Sequence, residues 1–431
     1  MKWFVALTST LLLFSTWLPA QSRREDIYTD FVLYSKRSLL QKDLKENIIG
    51  KTFSLALDSN SEYRYQSACN AITQFMLADE VVEKGFENLF RQYDQLQYDT
   101  KKALLEAVYG TYPDAYKDEF QYILTHETHP KLFAIAALYL FRQDTSTFNV
   151  NAIKIKMAEQ FPAYDTLDLL LELEKYLNRH PHYSPLTPTE ITDLFRFQRT
   201  LDQKVIYSFQ RRNRDYPGLA IVQNANGSFI RHPDGRIMIF EQLARSASNL
   251  PFFITNGNTP QGVYSIRGTA KVNNKLIGPT PTLQMLLPFE NSWENYLQLP
   301  AGVVWDTLQD PFKPYTRLLP PSWRTNSSMQ EAFYAGKIGR NSIIAHGTTI
   351  DPEYFKDKPY YPLTPTLGCL CAKELWNVTT GRLLVSEQFN LVSAFYATPG
   401  SKGYLYVIDV DDKEKPVSRA EVENWVREFE K

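Results

Sequence analysis

Cysteine is scarce in this chain: three thiols, Cys69, Cys369 and Cys371, stand in 431 residues. They are too few and too unevenly spaced for a disulfide framework. An excess of one charge is also missing. Lys and Arg number 47 against 48 Asp and Glu, a net charge of -1 that argues against a nucleic-acid partner, which calls for a basic surplus. Glycine is nearly absent before residue 200, where only Gly50, Gly85 and Gly110 occur. The apolar run from Trp3 to Trp17 is shorter than the roughly 20 residues that a membrane-spanning helix needs.

What is present is aromatic and apolar. Hydrophobic residues make up 43% of the chain and aromatics 14%, which excludes disorder. At this length one hydrophobic core stops growing, so at least two domains are expected. Charge is unevenly spread: residues 211 to 403 hold 19 Lys and Arg against 13 Asp and Glu, a surplus that suits an anionic substrate. Residues 1–20 read as a secretory signal, with Lys2 before an apolar stretch from Trp3 to Trp17 and Ala20 as the cleavage residue. Export to the periplasm or cell envelope is the expected consequence, with a mature chain starting at Gln21. An uncleaved anchor is the lesser alternative.

From residue 21 to about 205 the pattern is helical, with apolar residues recurring at three and four. Candidate helices are Tyr63 to Ala78, Val81 to Tyr93, Asp99 to Tyr109, Ala115 to Thr125, Pro130 to Arg142, Asn151 to Phe161, Leu167 to Asn178 and Glu190 to Phe209. Their lengths and short links predict stacked helix pairs, an all-α helical-repeat-like scaffold that offers a surface for a protein partner. After the proline-rich break at Ser184 to Thr189, residues 206–412 read as mainly β, with Asn226-Gly227 and Asp234-Gly235 as hairpin turns. Strand-like runs are Leu219 to Gln223, Ser228 to His232, Arg236 to Leu243, Gly262 to Arg267, Leu283 to Pro288, Ser342 to His346, Arg382 to Gln388 and Gly403 to Asp409. An aromatic-rich stretch at about 289–340 serves either as core or as a lid over a site. Residues 413–431 hold a final helix, opened by a capping box of Ser418 and Glu421.

Chemistry concentrates in two segments, Ile344-Ala345-His346-Gly347-Thr348 and Thr366-Leu367-Gly368-Cys369-Leu370-Cys371. A thiol beside an imidazole becomes a nucleophilic thiolate, and a glycine next to it leaves backbone N–H groups of Gly368 and Cys369 open to an oxyanion. A Cys and a His alone carry little weight in so long a chain. His126 with His129, and His180 with His182, lack Cys or carboxylate partners at ligand spacing, so no metal and no cofactor is expected. Cys69 reads as a small buried core residue, Cys371 as structural filler, and His232 as an exposed turn residue.

The two segments resemble the L,D-transpeptidase catalytic domain. Its pattern is a His followed by Gly or a small residue, a gap, then Ser/Thr-His-Gly-Cys with an aliphatic residue and Arg or Asn after it. Here His346-Gly347 precedes Thr366-Leu367-Gly368-Cys369-Leu370-Cys371, and the upstream Thr-Pro-x-Gly-x-Phe/Tyr-x-Ile strand stands as Thr259 to Ile266. The resemblance covers about residues 212 to 410 and implies a β-sandwich catalytic domain. It implies Cys369 as nucleophile, His346 as base, the Gly347 carbonyl as the acceptor that fixes the imidazole tautomer, and Gly368 as part of the oxyanion site; Thr366, and Tyr334 of the aromatic stretch if that is a lid, are the candidate substrate contacts. The substrate it implies is a peptidoglycan stem tetrapeptide. The thiolate expels the terminal D-alanine, and the thioester passes to an amine, giving a crosslink, or to water, giving trimming. Two positions depart from the pattern, Leu367 for His and Cys371 for Arg or Asn. Their joint apolar character predicts a remodelled pocket wall in which Leu367 fills an apolar niche.

Overall fold

The computed structural model describes residues 23–179, 185–306 and 308–431. The expected signal segment, together with His180 and His182, lies outside them, and no described helix is long and apolar enough to cross a membrane. Helix α1 (Tyr34–Asp43) runs on as Leu44–Lys51 and is followed by α2 (Glu62–Phe75), α3 (Glu80–Arg91), α4 (Tyr98–Thr111), α5 (Lys117–His126), α6 (Pro130–Gln143), α7 (Thr147–Gln160) and α8 (Asp168–Arg179). Local chemistry explains their starts. Asp79 accepts from the Val81 and Val82 N–H groups, Ser146 accepts from Asn149, and Pro130 opens α6, where its missing N–H costs nothing.

These helices pack in two rows. α2, α4, α6 and α8 touch in succession, α5 touches α7, and α3 reaches α5 through Phe90 and Phe120, whose rings lie 6.0 Å apart. Pairing of this kind is the stacked scaffold expected from the spacing, and α6 is its axle, buried from Leu132 to Phe141.

Helix α9 (Pro188–Leu201) is shorter than the expected Glu190 to Phe209. Asp202, at φ 47, sits in the left-handed region and stops it, and the β-branched and aromatic run that follows is strand β1 (Lys204–Arg211). Packing also assigns α9 differently from its place in the sequence. Ile191, Leu194 and Phe195 join a core with barrel residues Val205, Tyr207 and Phe209 and with Val422 and Trp425 of the last helix, α14 (Arg419–Glu430), rather than with the helical rows.

The remaining strands are β2 (Gly218–Gln223), β3 (Phe240–Leu243), β4 (Gly262–Ala270), β5 (Thr282–Leu286), β6 (Ala345–His346), β7 (Leu370–Ala372), β8 (Glu374–Trp376), β9 (Leu383–Ser386) and β10 (Gly403–Asp411). Eight of them close on themselves in the order β1-β10-β4-β5-β6-β7-β3-β2, and β8 with β9 forms a separate hairpin. The implied two-sheet sandwich is therefore replaced by a closed barrel. Its interior is the apolar cluster to which all eight strands contribute, including Ile206, Val222, Phe240, Tyr264, Leu283, Ala345, Leu370 and Leu405. Four expected strands differ locally: Arg236 to Leu243 forms a ladder only from Phe240, and Ser342 to His346 only at Ala345 and His346. Ser228 to His232 makes only isolated bridges, and Arg382 to Gln388 gives way at Glu387 to helix α13 (Glu387–Phe395), capped by Ser386.

The aromatic stretch holds α10 (Trp293–Tyr296), α11 (Phe312–Arg317) and α12 (Glu331–Lys337). It is core: Tyr296, Tyr315, Trp323 and Phe333 are buried against the outer face of β4 and β10, and the Tyr296 hydroxyl donates to the Val263 carbonyl at 2.8 Å. The two halves are also knitted together. Leu250, Phe252, Phe253 and Ile254, from the loop before β4, are buried in the helical core. Lys131 donates to Thr255 at 2.8 Å and Asn256 to Glu106 at 3.1 Å.

Candidate active site

β6 and β7 lie side by side and parallel, with Ala345 opposite Leu370 and His346 opposite Cys371. The Leu370 N–H donates to the Ile344 carbonyl at 3.1 Å, which extends the pairing back to Ile344 and Cys369. Side chains alternate along a strand. Because Ala345 and Leu370 point into the barrel, Ile344, His346, Cys369 and Cys371 point outward. His346 and Cys369 thus share one face on neighbouring strands, two positions apart, which puts their Cα atoms about 8 Å from each other from strand spacing and rise. That is within the reach of an imidazole and a thiol toward one another.

His346 is 6% exposed, and its Nδ1 meets the Gly347 carbonyl at 2.5 Å. A carbonyl only accepts, so Nδ1 carries the proton and Nε2 is left with its lone pair, the form required of a base. Burial pushes the imidazole pKa down, against the Gly347 hydrogen bond, so the ring is neutral at neutral pH. Gly347 itself is required by space. A Cβ there would lie 2.1 Å from the Glu374 carboxyl carbon. Glu374 is buried and accepts from the Thr348 N–H at 2.9 Å and the Ser386 hydroxyl at 2.6 Å. Burial, opposed by these donors, lifts its carboxyl to about 7.

Cys369 is half-buried, and its Sγ lies 3.7 Å from the Ser342 carbonyl. Burial raises the thiol pKa, the Ile344 N–H and the Arg340 guanidinium lower it, and Glu290 raises it. Burial thus favours the neutral form of both the Cys369 thiol and the His346 imidazole. Ser342 is itself held in the left-handed region, φ 59, by the Glu290 carboxylate, which accepts its N–H at 2.7 Å.

The loop before Cys369 is braced internally. The Thr366 hydroxyl accepts from the Gly368 N–H at 3.1 Å and donates to the Cys369 carbonyl at 2.8 Å. This commits Thr366 to shaping the loop, and it removes the Gly368 N–H as an oxyanion donor. The Cys369 N–H has no hydrogen bond among the described residues and is the backbone donor that remains. Gly368 has φ +107, and a Cβ on it would meet Arg340 Nη2 at 2.3 Å. Leu367 does not fill an apolar niche. It is 48% exposed, because the turn that aims Cys369 at the site points its neighbour to solvent. Cys371 is buried and unbridged behind the site, 3.6 Å from the Thr364 hydroxyl. Tyr334 is occupied elsewhere, with its ring covered by Lys175 of α8 at 4.1 Å.

The structure thus places Thr366, Gly368 and Cys369 on one loop at the start of β7 and His346 with Gly347 at the end of the neighbouring β6, and leaves Tyr334 at the seam with the helices. Sequence reasoning missed Arg340, Glu374, Glu290 and Ser342. Only Glu374 left a signal, as the one acid in the run Leu370 to Trp376, beside Lys373. Among the described residues no group of His, Cys, Asp and Glu side chains could hold a metal. His126 and His129 sit at helix ends, where His126 Nδ1 meets the Tyr122 carbonyl at 2.9 Å and His129 accepts from the Lys131 N–H at 3.3 Å. No family model matches the chain, and no curated protein and no solved structure is significantly similar to it.

Proposed function

We propose that this protein is a cysteine acyltransferase of the L,D-transpeptidase type, acting on peptidoglycan stem peptides outside the cytoplasm. The observation that carries the reading is the parallel pairing of β6 with β7, which sets His346 and Cys369 on one face with the imidazole locked in its basic tautomer. In this mechanism His346 Nε2 takes the thiol proton as Sγ attacks the carbonyl of the third stem residue. The oxyanion is met by the Cys369 N–H, and the proton passes on to the departing D-alanine amine. An amine acceptor, activated by the same imidazole, then attacks the thioester carbonyl and releases Cys369. Water in place of the amine gives trimming. A β-barrel in place of a two-sheet sandwich leaves this chemistry unchanged, because it needs only two neighbouring strand ends. The segment 1–20 and the +6 surplus between residues 211 and 403 support an exported enzyme with an anionic substrate. The helical rows are proposed to hold a protein partner beside the wall.

A carbapenem, a β-lactam class that acylates cysteines of this type, supplies the test. Incubation followed by intact-mass measurement is expected to add one β-lactam mass to the protein and none to Cys369→Ala. No mass gain in the unaltered protein would support a non-catalytic wall-binding role instead.

A further inference from the structure

Arg340 and Lys204 are two buried cations held by backbone carbonyls, and of the two it is Arg340 that lies beside the candidate site. Arg340 is 5% exposed, at the C-terminal side of α12, and no carboxylate among the described residues lies within ion-pair distance of it. Its guanidinium donates instead to three backbone carbonyls of one loop: Phe252, Asn258 at 2.8 Å and Gly257 at 3.0 Å. That loop is the one whose Leu250, Phe252, Phe253 and Ile254 are buried among the helices. The same Nη2 that donates to Gly257 lies against Gly368, so closely that only a residue without a Cβ fits there. Thr259, one residue past the carbonyls that Arg340 holds, donates its hydroxyl to the Gly368 carbonyl at 3.0 Å. Burial of a guanidinium without a counterion is costly, and proteins retain it where the charge is used.

We propose that Arg340 is a positioning residue for the nucleophile, which ties the Thr366–Cys369 loop to the helical half and turns an uncancelled positive charge toward Cys369. This rests on the reading of Cys369 as the nucleophile, and it assigns the helical rows a part in the site as the wall against which that loop is held. It also places a guanidinium beside the Cys loop although position 371, where the resemblance implies Arg or Asn, holds a buried cysteine. The charged and titratable groups that face Cys369 are Arg340, Glu290 and Cys371, with His346 on the neighbouring strand. Those around Arg340 are Tyr264, Cys369, Glu106 and Lys131. Of these, the Cys369 thiolate is the one anion that forms during the reaction. Arg340 lowers the Cys369 pKa against the burial that raises it, and its own is pushed down to about 10 by burial.

The rate of Cys369 alkylation by iodoacetamide, followed against pH by intact mass, reads this directly and does not depend on peptidoglycan activity. Arg340→Gln is expected to move the midpoint of that curve up by about one pH unit, the usual size of the effect of a close opposite charge. Arg340→Lys keeps the charge and is expected to hold the midpoint near its original value, while backbone amides of residues 250–258 exchange faster because the three-carbonyl fork is lost. A folded Arg340→Gln with an unmoved midpoint overturns the proposal. If Arg340→Gln does not fold, Arg340→Lys decides: a midpoint raised by a full unit there overturns it, and an unmoved one with faster exchange upholds it. Should the carbapenem fail to label the protein while the alkylation midpoint shifts as expected, the acyltransferase reading falls and the role of Arg340 stands.

Discussion

The helical rows and the edge of the barrel around Cys369 treat buried charge in opposite ways. In the helices each buried acid has a lysine: Glu106 with Lys102 at 3.4 Å, Glu127 with Lys101 at 3.5 Å, and Glu172 with Lys175 at 2.6 Å. Away from the candidate site the barrel pairs Arg211 with Asp411 and Arg214 with Asp409, both at 2.7 Å, while Lys204 on β1 is held by the Phe395, Thr398 and Gly400 carbonyls instead. Around β6 and β7 the rule is broken, since Glu374 and Arg340 have only neutral partners among the described residues. An ion buried without a counterion opposes folding by several kcal/mol even after relaxation. Two such ionisable groups stand within a few residues of His346 and Cys369, and burial answers the lack of a counterion at Glu374 by lifting its carboxyl to about 7.

The comparison breaks first at the imidazole. If the unpaired charges serve a base and a nucleophile, His346→Ala should slow carbapenem acylation of Cys369 by about 100-fold or more, the usual contribution of a positioned base. The residual rate should climb with pH, because solvent must then deprotonate a thiol whose pKa burial has raised. A variant that acylates at the unaltered rate at pH 7 removes His346 from the mechanism.

A smaller effect concerns stability and pH. The Glu374 carboxyl rises from 4.5 in the unfolded chain to about 7 when folded. The folded state therefore binds the extra proton, and stability declines as pH increases between those two values. The 2.5-unit difference corresponds to about 3 kcal/mol, fully lost above pH 7. Asp409, lifted to about 6 by burial, adds a decline of the same sign. Urea unfolding at pH 5 and pH 8 should thus show less difference in Glu374→Gln, which cannot ionise, than in the unaltered protein. Equal differences in the two would mean that Glu374 is not held unneutralised.

The least effect is expected at Leu367. With half of its surface in solvent, Leu367→His should fold with stability changed by no more than about 0.5 kcal/mol. A loss of several degrees in melting temperature would show that the leucine packs against something when the protein is in solution.

Most of the helices could be read to within a few residues, because periodicity, caps and prolines are local signals: α6 begins at Pro130 as expected and ends within one residue of Arg142, whereas α7 starts four residues before Asn151 and α1 with its continuation was not foreseen. The nucleophile and base were legible only through a pattern of residue types, since nothing local to Cys369 or His346 says that the two meet. The boundary between the halves was misread at α9. Its apolar stripe shows that a face is buried but not which partner buries it, and that partner, α14, lies more than two hundred residues away.

Composition, periodicity and turn chemistry by themselves determined that a helical region precedes a strand-rich one, that no disulfide holds the chain, and which segments carry a thiol and an imidazole. Those properties depend on neighbours within a few positions. Closure of the barrel, the meeting of β6 with β7, the outward turn of Leu367 and the approach of Arg340 to Gly368 were decided by tertiary structure alone. Each joins segments separated by tens to hundreds of residues, and it is the packing of the 250–258 loop into the helices that puts Arg340 and the Cys369 loop in contact.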